Sequence, residues 1–194
     1  MDSRLKLEII VGSVRTGRFG PTIAAWFEEQ ARQHGGYDVD TIDLATLTFP
    51  EDMSASPVVD EFARRIDAAD AVVIITPEYN HAYPGPLKTA IDSIKQPWFG
   101  KPVGLVAYGG MSGGLRAVEG LRVVLAELHA MTIRDTVSFH LARSRFDQDG
   151  SPVDPEGTSA AATVLLDSLE WWAHALRNAR RSVPYGTKVA FATA

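Results

Sequence analysis

The run Gly12-Ser13-Val14-Arg15-Thr16-Gly17-Arg18-Phe19-Gly20-Pro21-Thr22 gathers residue types that bind an anion. Glycines let the backbone turn tightly, and a helix that starts just after such a turn presents N–H groups and a favourable dipole. Ser13, Thr16 and Thr22 add hydroxyl donors; Arg15 and Arg18 add charge and forked hydrogen bonds. The pattern describes a phosphate cradle, the plainer alternative being a glycine-rich turn whose arginines face solvent. The Gly12-to-Gly17 spacing imitates a P-loop, but Arg18-Phe19 stands where that motif needs Lys and Ser/Thr. Nucleoside triphosphate chemistry is therefore disfavoured. The run does not match G-x-G-x-x-G either, which argues against a Rossmann dinucleotide site.

Two further runs carry unusual chemistry. Thr76-Pro77-Glu78-Tyr79-Asn80-His81-Ala82-Tyr83-Pro84-Gly85-Pro86 holds three prolines, which stiffen the backbone and fix the directions of its polar groups. Such a row beside Tyr79 and Tyr83 suits a planar heterocycle read along its edge; the plainer reading is a long turn with packed tyrosines. Tyr108-Gly109-Gly110-Met111-Ser112-Gly113-Gly114 allows close backbone approach, or merely joins a strand to a helix.

The elements that would position these runs alternate in type. Apolar strand signals cover Leu5–Val11, roughly Tyr37–Asp43, Ala71–Ile75, about Val103–Tyr108 and about Thr132–Phe139. Helical spacing covers about Pro21–His34, Pro57–Asp67, a segment beginning near Pro84–Pro86, about Ser112–His129, and Thr158 to about Arg181. His140–Gly157 reads as a long loop. Five strands separated by helices imply a parallel sheet covered on both faces, in an α/β three-layer sandwich. Right-handed crossovers leave few strand orders, among them the flavodoxin-like 2-1-3-4-5, in which ligands sit beyond the carboxyl ends of the strands. The three unusual runs begin at three such ends.

Composition narrows the class. The 194 residues are 45% hydrophobic and 22% charged, which suits one globular domain spanning 1–194. The absence of Cys excludes thiol nucleophiles, disulfides and thiolate metal sites. A net charge of −5, with arginines scattered, argues against nucleic-acid binding. Apolar runs are far shorter than the ~20 residues of a membrane span, and Met1–Arg4 leads into a strand with no signal-peptide h-region. A cytoplasmic enzyme is the expectation. His34, His81, His129, His140 and His174 are widely spaced, so no metal site is expected.

Taken in order, the motifs resemble the NAD(P)H-dependent FMN reductase family. Gly12-Ser13-x-Arg15 is similar to its opening, and Thr76-Pro77-Glu78-Tyr79-Asn80 with Pro84-Gly85-x-Leu87-Lys88-x-Ala90-Ile91-Asp92 to its central signature. Lys101-Pro102-Val103 and Gly113-Gly114-Leu115-Arg116-Ala117 match its third block. The similarity spans about Leu7 to Leu128. It implies a flavodoxin-like fold with non-covalent FMN in a homodimer or homotetramer, and two-electron transfer from NADPH or NADH to a small acceptor by a ping-pong scheme. Quinones, azo compounds, metal oxyanions and free flavin are all candidate acceptors. It assigns Ser13, Arg15, Arg18, Phe19 and Gly20 to the phosphate end, Pro77, Glu78, Tyr79 and Asn80 to the isoalloxazine, and Gly109, Gly110, Ser112 and Gly113 to the ring's other side. No side-chain nucleophile or acid is required, because the cofactor carries the chemistry. Thr89 departs from the Asn common in the family, and His81-Ala82 from its small or Ser-containing pair, which makes His81 a candidate modulator of acceptor choice.

Two rivals remain open at this point. A flavodoxin-like electron carrier would bind FMN without turnover. A serine esterase would use Gly110-Met111-Ser112-Gly113-Gly114 as G-x-S-x-G, with Asp135 or Asp147 and then His174 completing the order. The helix starting near Pro86 carries Leu87, Ile91 and Ile94 on one side and Lys88, Asp92 and Lys95 on another, a mixed face that would seal against a second subunit or belong to an ordinary amphipathic helix with a solvated back.

Overall fold

The computed structural model describes residues 4–186. Five strands form one sheet in the order β2-β1-β3-β4-β5, all pairs parallel. They are β1 (Leu5–Val11), β2 (Tyr37–Asp43), β3 (Ala71–Pro77), β4 (Pro102–Tyr108) and β5 (Met131–Phe139). Every residue of β3 and β4 is buried, whereas the edge strands β2 and β5 mix buried with exposed and half-buried positions. Central parallel strands lie under helices on both faces, so both sides of each must be apolar.

The helices are α1 (Gly20–His34), α2 (Pro57–Ala68), α3 (Gly85–Asp92), α4 (Leu115–Glu127) and α5 (Pro155–Ser182). One core joins α1 and α5 to the sheet through residues such as Ile23, Phe27, Leu165 and Leu169. The other packs α2, α3 and α4 through Phe62, Ile66, Leu87, Ile91 and Leu121. Leu87, Ile91 and Ile94 are thus buried in the chain's own core. The apolar side of this segment is covered by its own chain, while Asp92 and Lys95 on the other side are exposed.

Of the boundaries that differ from the sequence reading, three have a clear local reason. α4 begins at Leu115 rather than Ser112, because Gly113 and Gly114 have φ of 63° and 89° and cannot continue a helix backwards. α5 begins at Pro155, three residues before Thr158, because Asp154 caps it by accepting from the Gly157 N–H at 2.9 Å. β3 runs on to Pro77, paired with Tyr108 of β4.

At the amino-terminal edge of the sheet, the buried Lys101 Nζ donates to the carbonyls of Asp67 (3.1 Å) and Ala69, at the end of α2. Burial, with Arg180 nearby, pulls its pKa down from 10.5 to about 7. Lys101 therefore belongs to the joint between α2 and β4, far from the three loops.

Candidate functional site

Because the strands are parallel, their carboxyl ends share one rim, and four loops meet there around a cleft of about 860 Å³. Of the residues singled out in the sequence, Arg15, Phe19, Pro77, Glu78, Tyr79, Asn80, Gly109 and Gly110 line it. Tyr108, at the end of β4, lines it as well.

The β1–α1 loop forms one end. α1 has no side-chain cap and no acidic residue in its first turn, so no side chain of its own satisfies its N–H groups or offsets its dipole. Ser13 and Gly20 are buried below this turn, where the Tyr108 hydroxyl donates to Ser13 Oγ at 3.1 Å. A side chain at Gly20 would collide with that same Ser13 oxygen and lie 2.9 Å from the Tyr108 hydroxyl. Burial pushes the Tyr108 phenol up to about 12, which keeps it a neutral donor.

The two arginines of this loop separate. Arg15 lies with its guanidinium carbon 5.1 Å from the centre of the Tyr79 ring. Arg18 turns away to Asp43: Nη2 donates to Oδ2 at 2.5 Å, Nη1 donates to Oδ1, and Nη1 also donates to the Ser13 carbonyl at 2.7 Å. That pairing raises the Arg18 pKa. At Asp43, burial pushes the carboxyl up, and the Arg18 hydrogen bonds, the Ala45 backbone N–H and the Arg18 charge together outweigh it, leaving the pKa lowered. The sheet register explains the partner, since Asp43 of β2 lies opposite Val11 of β1, beside the base of the loop.

The β3–α3 loop folds into a two-residue hairpin. Tyr79 and Ala82 exchange N–H to carbonyl hydrogen bonds of 2.8 and 3.1 Å around Asn80 and His81. Both turn residues have positive φ, 50° and 71°, as a type I′ turn requires. His81 is exposed at its tip and is not among the cleft-lining residues.

Glu78 lines the cleft, and its carboxylate reaches α4. It accepts from the Arg116 backbone N–H at 3.1 Å and from Arg116 Nη1 at 3.0 Å, and it also bonds Ser112. Burial pushes Glu78 up, and these hydrogen bonds outweigh it, so its pKa is lowered. The α4 N-cap is Gly114, where an added Cβ would lie 2.7 Å from the Ala107 Cβ. With no side chain possible there, Glu78 caps the helix from another loop. Ser112 is tied to Glu78, and Gly113 packs tightly on Ser138 and His140.

The sequence reading missed the fourth loop, which follows β5. Leu141, Ala142, Arg143 and Ser144 line the cleft. The N–H groups of Leu141 and Ala142 donate to the carbonyls of Gly110 (2.9 Å) and Gly109 (3.1 Å), so this loop is zipped to the glycine loop. The signal was positional: in a parallel sheet the end of β5 must join the same rim as the others.

Several N–H groups at the rim are spent internally: Glu78 donates to Tyr108, Tyr79 to Ala82 and Gly109 to Phe139. Among the described residues no backbone carbonyl takes the N–H of Asn80 or Gly110. Both residues line the cleft.

An acyl-transfer triad is not assembled. His174 lies near Glu170 and Arg177, and Arg177 sits 3.5 Å from Asp70, just before β3 begins. Ser112 follows the opposite end of the sheet, about 20 Å away for a seven-residue strand. Among the described residues there is no group of three His, Asp or Glu able to hold a metal ion, and no helix long and apolar enough to cross a membrane.

Comparison with known proteins adds identity to this geometry. The family model described as NADPH-dependent FMN reductase matches residues 5–144. An NAD(P)H-dependent FMN reductase of Pseudomonas aeruginosa is 31% identical over 188 residues, covering 91% of this chain and 100% of its own. A Schizosaccharomyces pombe protein of the same description is 37% identical over 122 residues, 56% of this chain and 60% of its own, so the match spans less than two thirds of that relative. A quinone reductase of Escherichia coli K12 is 33% identical over 142 residues, 69% of this chain and 76% of its own. Among solved structures, the flavoenzyme NAD(P)H:(acceptor) oxidoreductase FerB of Paracoccus denitrificans superimposes with a TM-score of 0.73. It covers 88% of this chain and 98% of its own at 24% identity, a likeness of fold.

Proposed function

The chain belongs to the NADPH-dependent FMN reductase family, and from that premise we propose that it is an FMN-dependent NAD(P)H oxidoreductase whose cleft at the strand ends is the flavin site. The observation that carries the reading is a difference between two helix starts on one rim. The start of α4 is filled by the Glu78 carboxylate, whereas α1 has neither a side-chain cap nor an acidic residue in its first turn, and Arg15 of the preceding loop lines the cleft. A phosphate fits the second and is repelled by the first.

The residues present suit FMN. Its phosphate would take the α1 end, with Arg15 and the hydroxyl-lined turn over Ser13. Its flat ring would lie between Tyr79 and the Gly109-Gly110 backbone, where the absence of Cβ atoms permits close approach. The cleft volume is in the usual range for small-molecule sites. When bound, FMN supplies the redox chemistry, accepting a hydride from reduced nicotinamide and passing two electrons to the acceptor in a ping-pong sequence. The protein contributes binding and electrostatics. The N–H groups of Asn80 and Gly110 are the donors it can aim at charge that develops on a reduced ring. No carboxylate of the lining is left to act as an acid, since Glu78 is engaged with Arg116.

Ser13, Gly20, Ser112, Gly113 and Arg18 shape the site rather than face it: Arg18 holds the loop by neutralising Asp43, and Ser112 holds Glu78. Acceptors are small oxidants such as quinones, azo compounds, metal oxyanions or free flavin. The working assembly is a homodimer or homotetramer, in keeping with the family.

Multiple-turnover oxidation of NADPH with FMN and a benzoquinone, giving parallel double-reciprocal plots, is the expected result. Flavin binding without turnover on either nicotinamide would leave the electron-carrier reading instead.

A further inference from the structure

Arg15 and Arg18 are the two cations that the sequence sets beside the anion-binding turn, but the fold commits Arg18 to Asp43. It brings in another in its place. Arg143, from the loop after β5, donates from Nη2 to the Gly17 carbonyl at 2.8 Å. Its guanidinium carbon lies 5.4 Å from the centre of the Phe19 ring, and Phe19 is the residue that precedes α1. Arg143 and Arg15 line the same cleft, each laid over an aromatic ring of a different loop.

Neither arginine has a carboxylate within 4 Å among the described residues. The nearby acids are already taken, Asp43 by Arg18 and Glu78 by Arg116. Two cations without a carboxylate partner thus line one cleft beside a helix start that no side chain caps. A guanidinium has five N–H donors in a fixed plane, and one bond to a carbonyl together with ring stacking holds that plane while leaving other donors to an incoming anion.

Resting on the flavin reading of this cleft, we propose that Arg143 is the second cation of the phosphate site and the residue by which this chain prefers a phosphorylated flavin to a non-phosphorylated one. The Gly17 contact orients it. The phosphate dianion, absent from riboflavin, is what it recognises.

The test is a fluorescence titration of the full chain, freed of flavin, with FMN and separately with riboflavin. Arg143→Ala is expected to weaken FMN binding about tenfold while riboflavin binding stays within about twofold. Arg143→Gln, which keeps a donor for Gly17 and loses the charge, is expected to give the same pattern, and serves if the alanine variant does not fold. Unchanged FMN affinity in both variants, an equal loss for both flavins, or a change confined to the KM for NADPH would overturn the proposal while leaving the cofactor reading intact. Wild-type protein that binds neither flavin would overturn both.

Discussion

The Glu78 carboxylate caps α4 from across the cleft, accepting from the Arg116 backbone N–H at 3.1 Å and from its guanidinium at 3.0 Å. One side chain thereby fixes the spacing of the β3–α3 and β4–α4 loops and cancels the positive end of α4. The two loops become one wall. Glu78→Ala is expected to lower unfolding free energy by about 1–2 kcal/mol, the usual cost of a lost cap, and to weaken flavin binding. Urea denaturation with and without FMN measures both.

The same pair sets an acid limb. Hydrogen bonding holds the Glu78 pKa below its ordinary 4.5, so below that value the unfolded chain binds more protons than the folded one. The stabilisation from this group is complete above pH 4.5 and is lost as pH falls through the folded value. Glu78→Gln, which cannot titrate, should show a smaller loss of stability between pH 5 and pH 3, read as the difference in denaturation midpoints between the two proteins. Equal acid sensitivity would mean that other carboxylates set the limb.

Lys101 gives the opposite case. Its folded pKa of about 7 lies below the ordinary 10.5, so between those values the unfolded chain holds a proton that the folded chain has released. Stability from this site should rise with pH across that window, by up to about 1.4 kcal/mol per pH unit. Lys101→Met removes that slope. Chemical denaturation at several pH values from 7 to 9 compares the two.

His81 occupies a backbone position with φ of 71°, at the turn residue where glycine is strongly preferred. Its side chain is exposed, so little packing is lost on removal. His81→Gly should stabilise the protein by about 0.5–1 kcal/mol, a rise in Tm of roughly 2–4 °C per kcal/mol for a chain of this size. A lower Tm would show that His81 makes contacts that outweigh the strain.

Gly20 is a steric gate beneath the anion end. A methyl there would drive into Ser13 Oγ and crowd the Tyr108 hydroxyl. Gly20→Ala should cost about 1–3 kcal/mol, as overpacking of a tight site does, and reduce FMN affinity by displacing the β1–α1 turn. Thermal melts and a flavin titration check the two effects.

How far the sequence carried depends on the kind of information each feature needs. The strands and the three glycine- and proline-rich loops are legible because each is written in consecutive residues, and all three loops lie on the shared rim; the strand order follows from the crossover rule together with the family resemblance. The roles of Arg18 and Glu78 are not legible, since their partners Asp43 and Arg116 lie 25 and 38 residues away and come close only through the sheet. Reading Asp43 as the last residue of β2, beside β1, was the clue available for Arg18. The loop of Arg143 carries no such signal, because His140–Gly157 has neither the glycines nor the stiff prolines of the others near its start. The esterase pattern at Ser112 shows the converse: a correct string of letters whose His174 partner lies at the wrong end of the sheet.

The most direct measurement is an anaerobic absorbance spectrum of the purified chain with FMN, before and after NADPH. Perturbed flavin bands that track with the protein through gel filtration and then bleach on NADPH are the expected result, establishing the cofactor and its reduction together. FMN that elutes apart from the protein, with no bleaching on NADPH or NADH, would contradict a flavin site at the α1 end of the cleft.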